Sequence, residues 1–502
     1  MGFLSDDDKS RLMPAELLPH ETPIPTQLIS SDEFYPYPQT SKLRELQSRL
    51  LDIGDAQSKK QGMSRRRFFQ SAAGMAAAYV ALNETFGSFF SASRAESATP
   101  ELAQQRADSL KHQFIMDMHT HFLRNDTRLT QFIGLRESVG RAGWNSDLVG
   151  KEQTLEDVKY DNYIKEVYLD SDTKVALISS SPSDIERDWF LTNEMMAQTR
   201  EKVNKRFGSR RMLSHAVFTP GQPGWLEKVD AALLLKPDSM KGYTVGDNTH
   251  KDLSRYPWRM DDEKVAYKAY EKFAKAGIKN VCVHKGLFPP TQGEKYPRLL
   301  PYADASDVGK AAKDWPQLNF IIYHGAYRHV GGDPKVALDE FEKTGRISWT
   351  SDLCDVPEKY GVSNVYADVG QLFAWTMIAQ PRVTAALMGE MIKRLGTDKV
   401  VWGTDAVWTG GPQWQIEGMR RLEIPEDMQA KYGYAPLGPA DGPVKSAIFS
   451  GNNARLYSID VKRAALEAST DGLAALKADY EANGPGRSNL RYGYVAAPPT
   501  NG

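Results

Sequence analysis

His119 and His121 end a short apolar run, Phe114-Ile115-Met116-Asp117-Met118. Side chains on a strand alternate between faces, so two histidines separated by Thr120 point the same way. Such a pair at a strand terminus can grip one metal ion from one side. Three later apolar runs end in residues of matching chemistry. Residues 278–283 lead into His284, 318–323 into His324, and 399–404 into Asp405. The chain has nine histidines, and four of them stand at such ends.

These residues meet only if a scaffold brings distant strand ends together. From residue 114 onward, short apolar runs alternate with helical stretches, the pattern of βα units and a parallel sheet. Strands are predicted over 114–121, 173–178, 212–218, 240–245, 278–284, 318–324, 365–369 and 399–405. Helices fall between them, and Gly277 and Gly396 close two of these as C-terminal caps. Residues 451–457, Gly-Asn-Asn-Ala-Arg-Leu-Tyr, open a closing helix. The whole predicts an α/β fold of the (β/α)8 TIM-barrel type, with an N-terminal extension and long βα-loop insertions. Catalytic groups of that fold come from the C-terminal ends of several strands. A polar insertion carrying Gly134, Gly140 and Gly143 reads as a loop over the end of the first strand.

The 502 residues are 41% hydrophobic and 25% charged, a globular composition, and the net charge of -1 shows no basic excess of a nucleic-acid binder. The two cysteines, Cys282 and Cys354, make neither a disulfide framework nor a zinc motif. Four segments are expected: an extension over 1–63, a signal-like segment over 64–95, the barrel over 110–470 and a tail over 471–502. The extension is rich in Pro, Ser and charge and reads as poorly packed, with one amphipathic stretch over 42–53. Ser64-Arg65-Arg66-Arg67-Phe68-Phe69-Gln70 followed by the small, apolar run 71–82 looks like a twin-arginine export signal, with Ser93-Arg94-Ala95 as its cleavage site. This predicts recognition by export machinery and a periplasmic or exported location; without the signal the location is cytoplasmic. The arginines lie far from Met1, and Asn83 and Glu84 interrupt the run, which is too short for a membrane span.

The ordered set His119-X-His121, His284, His324, Gly403-Thr404-Asp405 and the Asn-Ala-Arg-Leu of 453–456 resembles the metal-dependent amidohydrolase superfamily. The likeness is to its amidohydrolase-related (amidohydrolase 2) branch, which includes aminocarboxymuconate-semialdehyde decarboxylase, and it runs from about 114 to 457. The resemblance implies His119, His121, His284 and Asp405 as metal ligands, with Asp405 also a general base through bound water. It implies that His324 polarises the substrate or steadies developing negative charge. Imidazole and carboxylate suit Zn2+, with Mn2+ as the alternative; zinc lowers the pKa of bound water to about 7. Two-metal members carry a carboxylated lysine on strand four. Lys241 is expected at the start of that strand, not its tip, which favours one metal. The resemblance leans towards a homodimer, with the oligomeric state open in the sequence itself, and Lys285 and Lys236 read as surface or loop lysines.

Asp368 is a candidate for a carboxylate that stands behind a ligand and orients its imidazole. Tyr327 and Arg328 follow His324 in a loop where substrate contacts belong, and Arg328 could pair with a substrate carboxylate. Trp144, Trp375, Trp402 and Trp408 are candidates for a pocket wall, though most read as core. His20, His112, His215 and His250 read as structural or exposed. Three functions follow for a small-molecule substrate. The first is hydrolysis of an ester, lactone or amide-like bond by metal-activated water; the second is non-oxidative decarboxylation, which a basic pocket around Arg328 would mark. The third is a non-catalytic exported binding protein, disfavoured by a complete ligand set.

Overall fold

Eight parallel strands form one sheet in sequential order: β1 (Met116–Thr120), β2 (Val175–Ile178), β3 (Met212–Val217), β4 (Ser239–Tyr243), β5 (Asn280–His284), β6 (Asn319–Tyr323), β7 (Val365–Asp368) and β8 (Val400–Val401). The computed structural model describes residues 8, 10–15, 18, 21–30, 34–129, 156, 159–483 and 493–497. The insertion with Gly134, Gly140 and Gly143, and with them Trp144 and His20, lies outside the described residues. The sheet closes where Thr120 bridges Ala406 and the Asp405 amide donates to the His119 carbonyl at 2.8 Å. Sequential parallel order, closure and helical crossovers make this a (β/α)8 barrel.

Seven of the eight strands fall within the predicted runs, and the fourth starts one residue earlier, at Ser239. The inner and outer faces alternate as the pleat requires. On β4, Ser239, Lys241 and Tyr243 share the face that meets His215, Tyr323 and His284. Met240 joins the apolar layer beneath the outer helices. Lys241 therefore sits in the middle of β4 inside the barrel, fully buried, and not at the strand's start as expected. Lys285, expected on the surface, is also fully buried, its Nζ 2.8 Å from Asp307. A single polar letter in an apolar run does not announce which face it takes.

The terminal segments correct the expectation more sharply. Residues 41–60 form α1 (Ser41–Lys60), which buries Leu43, Leu46 and Leu50, an i, i+3, i+7 stripe. Thr40 caps it by accepting from the Leu43 amide at 3.1 Å. Arg65, Arg66 and Arg67 open α2 (Arg65–Phe69), with Phe68 and Phe69 buried; Gly54 of α1 lies so close to the Phe69 ring that a Cβ there would stand 2.3 Å from it. The following α3 (Ala72–Phe86) is buried along most of its length. Tyr79 donates to the Trp414 carbonyl at 2.5 Å, and the Arg421 guanidinium lies over the Tyr79 ring. Trp414 and Arg421 belong to the helix after β8, Gln413–Arg421. The expected tail also pairs: Tyr494–Ala496 runs antiparallel to Leu12–Pro14, and Tyr494 bridges Ser30. No helix among the described residues is long and apolar enough to cross a membrane.

Candidate metal centre

The ends of β1, β5, β6 and β8 converge, as the barrel requires. His119, His324 and Asp405 each offer a ligand atom within 4.8 Å of the others. His121 Nε2 lies 3.2 Å, and His119 Nε2 3.1 Å, from Asp405 Oδ1. His284 joins this group through His324, its Nδ1 lying 3.1 Å from His324 Nε2. The structure thus brings all five expected residues together, with His324 inside the compact cluster and His284 beside it. They are between 1% and 6% exposed, a site almost shut off from bulk water.

Each histidine nearest the carboxylate is held from behind. His119 Nδ1 faces Asp368 Oδ2 at 3.0 Å, His121 Nδ1 the Ser179 carbonyl at 3.2 Å, and His324 Nδ1 the Gly370 carbonyl at 2.9 Å. These acceptors place the ring proton on Nδ1 and leave the Nε2 lone pair facing inward. Two imine lone pairs facing an anionic oxygen at about 3 Å repel one another. A divalent cation among them turns that repulsion into ligation, so the donor set fits a metal. Burial pushes His121 down to about 4 and His324 to about 3, and drives His284 well below the ordinary imidazole value. Burial opposes Asp405 ionisation, but positive charge on its histidine side, supplied by a proton on His119 where a cation would otherwise stand, overcomes it and holds the carboxyl well below the usual range.

Two backbone features set this geometry. His324 and Asp405 adopt φ of 60° and 61°, a left-handed conformation uncommon for residues with a Cβ and concentrated at functional sites. Gly403 leaves space for its neighbours: a Cβ there would lie 2.2 Å from Asp368 Oδ1 and 2.6 Å from His119 Cβ.

Sequence reasoning missed several groups. Asp117, buried on β1, accepts from the Thr404 hydroxyl at 2.5 Å and the Thr404 amide at 3.0 Å, tying β1 to β8 under the cluster. Burial pushes it up to about 7 despite those donors. Lys241 Nζ lies 3.0 Å from the Tyr323 ring centroid; burial depresses His215, His284, His121 and His324, and Lys241 adds a lesser push in the same direction. His215 is structural, as expected, held between the Tyr323 and Ser239 hydroxyls at 2.7 and 2.8 Å. His250 meets Asp188 at 3.1 Å, and His112 is exposed. A carboxylate inside the apolar letters of a strand was the one available signal for Asp117.

The predicted substrate residues are placed elsewhere. Arg328 donates from Nε to the Phe288 carbonyl at 3.3 Å and stacks over Trp349. Tyr327 is fully buried in the main apolar core, near Trp375 and His329. Trp408 stacks on His121, with ring centroids 5.8 Å apart, and Tyr243 stacks on His284 at 4.9 Å. Trp402 is core, packed on Phe373 and Phe449.

The amidohydrolase family model Amidohydro_2 matches residues 116–459, from the first barrel strand to the closing helix. The chain belongs to the amidohydrolase family. No curated protein matches it in sequence. Among solved structures, the amidohydrolase is similar to 5-carboxyvanillate decarboxylase from Sphingomonas paucimobilis, at 14% identity and a TM-score of 0.40, covering 69% of this chain and 100% of that one. It is similar to 2,6-dihydroxybenzoate decarboxylase from Rhizobium, at 12% identity and a TM-score of 0.39, over 69% and 99% of the two chains. A probable 2-pyrone-4,6-dicarboxylic acid hydrolase from Acinetobacter baumannii gives 12% identity and a TM-score of 0.39, over the same 69% and 99%.

Proposed function

We propose that this amidohydrolase-family chain is a metal-dependent, non-oxidative decarboxylase of a small carboxylic acid. The observation that carries the reading is the dryness of the centre: every candidate ligand is at most 6% exposed. Indole and phenol rings cover two of them. A carboxylate that loses CO2 spreads its charge, and a water-poor site favours that change. Lys241, buried on the barrel's inner face with its Nζ 3.0 Å from the Tyr323 ring centroid, is the amine placed to meet an acidic substrate. The cationic partner is therefore Lys241 and not Arg328, whose contacts lie at Phe288 and Trp349.

His119, His121, His324 and Asp405 would hold one divalent metal, with His284 completing the set. Zn2+ is favoured by the imidazole donors and Mn2+ is the alternative. When bound, the metal supplies positive charge that orients and polarises the substrate's oxygens. Asp368, Ser179 and Gly370 keep the histidine lone pairs aimed inward. Asp117 and Thr404 fix β8 against β1, so that Asp405 stays in register with both His119 and His121.

Hydrolysis is the second reading, and one observation favours it. Asp405 is held ionised, and a carboxylate in that state can accept a proton from water. Purified full-length protein should hold about one equivalent of metal. Metal-loaded protein, tested on panels of aromatic carboxylic acids and of lactones, esters and amides, should release CO2 from an acid. Asp405→Asn should abolish that release. Lactone opening without CO2 release would overturn the decarboxylase reading in favour of hydrolysis.

A further inference from the structure

The interior of a (β/α)8 barrel is ordinarily packed with layers of branched apolar side chains. Here a column of polar ones crosses it to reach the metal centre. Tyr457, at the end of the closing helix Asn452–Leu456, has its hydroxyl 3.2 Å from that of Ser239 on β4. The Ser239 hydroxyl lies 2.8 Å from Nδ1 of His215 on β3, and His215 Nε2 lies 2.7 Å from the hydroxyl of Tyr323 on β6. Tyr323 in turn donates to the Met118 carbonyl on β1 at 2.7 Å. All four side chains are buried.

The column runs in one direction. The Tyr323 proton is committed to the Met118 carbonyl, so the Tyr323 oxygen accepts from His215 Nε2–H. Burial holds His215 well below the ordinary imidazole value, so the ring is neutral and its Nδ1 is an acceptor. That acceptor takes the Ser239 proton, and the Ser239 oxygen takes the Tyr457 proton. Each donor thus meets one acceptor. A buried network satisfied throughout is rigid and specifies one arrangement of its members.

What the column fixes is a ring that touches the centre. The Tyr323 ring centroid lies 3.9 Å from that of His119, and Lys241 Nζ lies 3.0 Å from the same Tyr323 centroid. Met118, which receives the last hydrogen bond, is the residue before His119. One candidate ligand is therefore steadied through its ring face and through its own strand, while Asp368 holds its Nδ1 from the edge. A tyrosine hydroxyl tied at two points keeps its ring from turning, so the surface that His119 and Lys241 rest on is set.

We propose that Ser239 and His215 are positioning residues of the metal centre, acting through Tyr323, whose ring sets the place of His119 and of the Lys241 amine. The assignment rests on the metal centre and not on the choice between decarboxylation and hydrolysis.

The test is titration of metal-free, full-length protein with Co2+, read as affinity by competition with a chromogenic chelator and as the visible spectrum of the bound ion. Tyr323→Phe keeps the ring and cuts the column; it should weaken Co2+ binding by about tenfold. Ser239→Ala lies two hydrogen bonds away from Tyr323 and should weaken it by about threefold, with the same change of spectrum. Tyr323→Phe/Ser239→Ala should bind no more weakly than Tyr323→Phe alone, because both changes break one chain. Ser239→Thr, which keeps the hydroxyl, should show the parent spectrum. Tyr457→Phe removes the first donor and keeps its ring, and it stands in for Ser239→Ala if that variant does not fold.

Parent affinity and spectrum in folded Ser239→Ala or Tyr457→Phe would overturn the assignment and leave the metal centre standing. Losses that add in the double variant would also overturn it, since independent effects on the fold add. A parent that takes up no Co2+ overturns the metal centre and the assignment together. If the variants respond as expected but no acid loses CO2, the column stands and the decarboxylase reading fails.

Discussion

Asp368 shows how one carboxylate outside the cluster governs the residues within it. Its Oδ2 accepts from His119 Nδ1 at 3.0 Å, from the Gly370 amide at 3.0 Å and from the His324 amide at 3.3 Å. One oxygen thus fixes the ring of one candidate ligand and the backbone of another. Asp368→Asn keeps the shape but removes the charge that raises His119 basicity. Metal affinity should fall by about 10–100-fold, read by competition with a chromogenic chelator. Gly403→Ala should disturb the same pair by steric overlap, lowering metal occupancy without any change of charge. Unchanged affinity in both variants would show that His119 needs no such support. The tip residues His119, His121, His284, His324 and Asp405 were legible in sequence because a strand end is a place, and apolar runs mark it. Asp117 and Lys241 were not, because a mid-strand side chain takes its environment from the face it meets across the barrel.

At the scale of elements, β5 and β6 leave the barrel beside a buried ion pair that has no catalytic contact. Lys285 bonds Asp307 and the Tyr302 carbonyl, with both charged side chains fully buried. Removing one partner strands a charge in the core, whereas replacing both with apolar groups often costs little. Lys285→Met should destabilise the fold by about 3–5 kcal/mol, and Lys285→Met/Asp307→Leu should recover much of it in denaturant melts. A single variant as stable as the parent would mean that water reaches Asp307. The helix Gly472–Ala482 offers a pH test of its own. Asp471 caps it and takes a bidentate bond from Arg211. Burial pushes the Asp471 carboxyl up, but Arg211 and Ser209 overcome it and hold it below the ordinary value. A depressed carboxyl stabilises the folded state above the unfolded pKa of about 3.9 and ceases to do so as pH falls through the folded value. Amide exchange in this helix should therefore quicken on acidification below about pH 4 before the barrel strands lose protection. Simultaneous loss in both would contradict local detachment.

Taken whole, the molecule pairs its two ends, and this bears on the stretch over 64–95 expected to be an export signal. The (β/α)8 barrel was readable from period-2 runs and helical crossovers, which are local signals. The role of the first hundred residues was not, because its contacts span the chain: Tyr79 meets Trp414 across 335 positions. Composition marks such a segment as poorly packed when its partners lie so far away. The proposed export signal, α2 and α3, is bound into that body. Arg421 pairs with Glu96 at 2.5 Å, and Phe90 bridges Leu422. Ser91 donates its amide to the Arg421 carbonyl at 2.7 Å. Cleavage after Ala95 would remove α3 from the helix that carries Trp414 and would also remove Ser30, which pairs with Tyr494. The arginines themselves remain reachable: Arg66 is 62% exposed, paired only at the surface with Glu21. If the stretch serves as an export signal, this packing predicts that the folded protein keeps it. Protein recovered from its native compartment should have an intact mass that includes residues 64–95. A chain starting at Glu96 should expose the Trp414 face and aggregate, because a large apolar surface left open promotes association. A native protein that begins near Glu96 and stays soluble and metal-loaded would show instead that the barrel tolerates loss of α3.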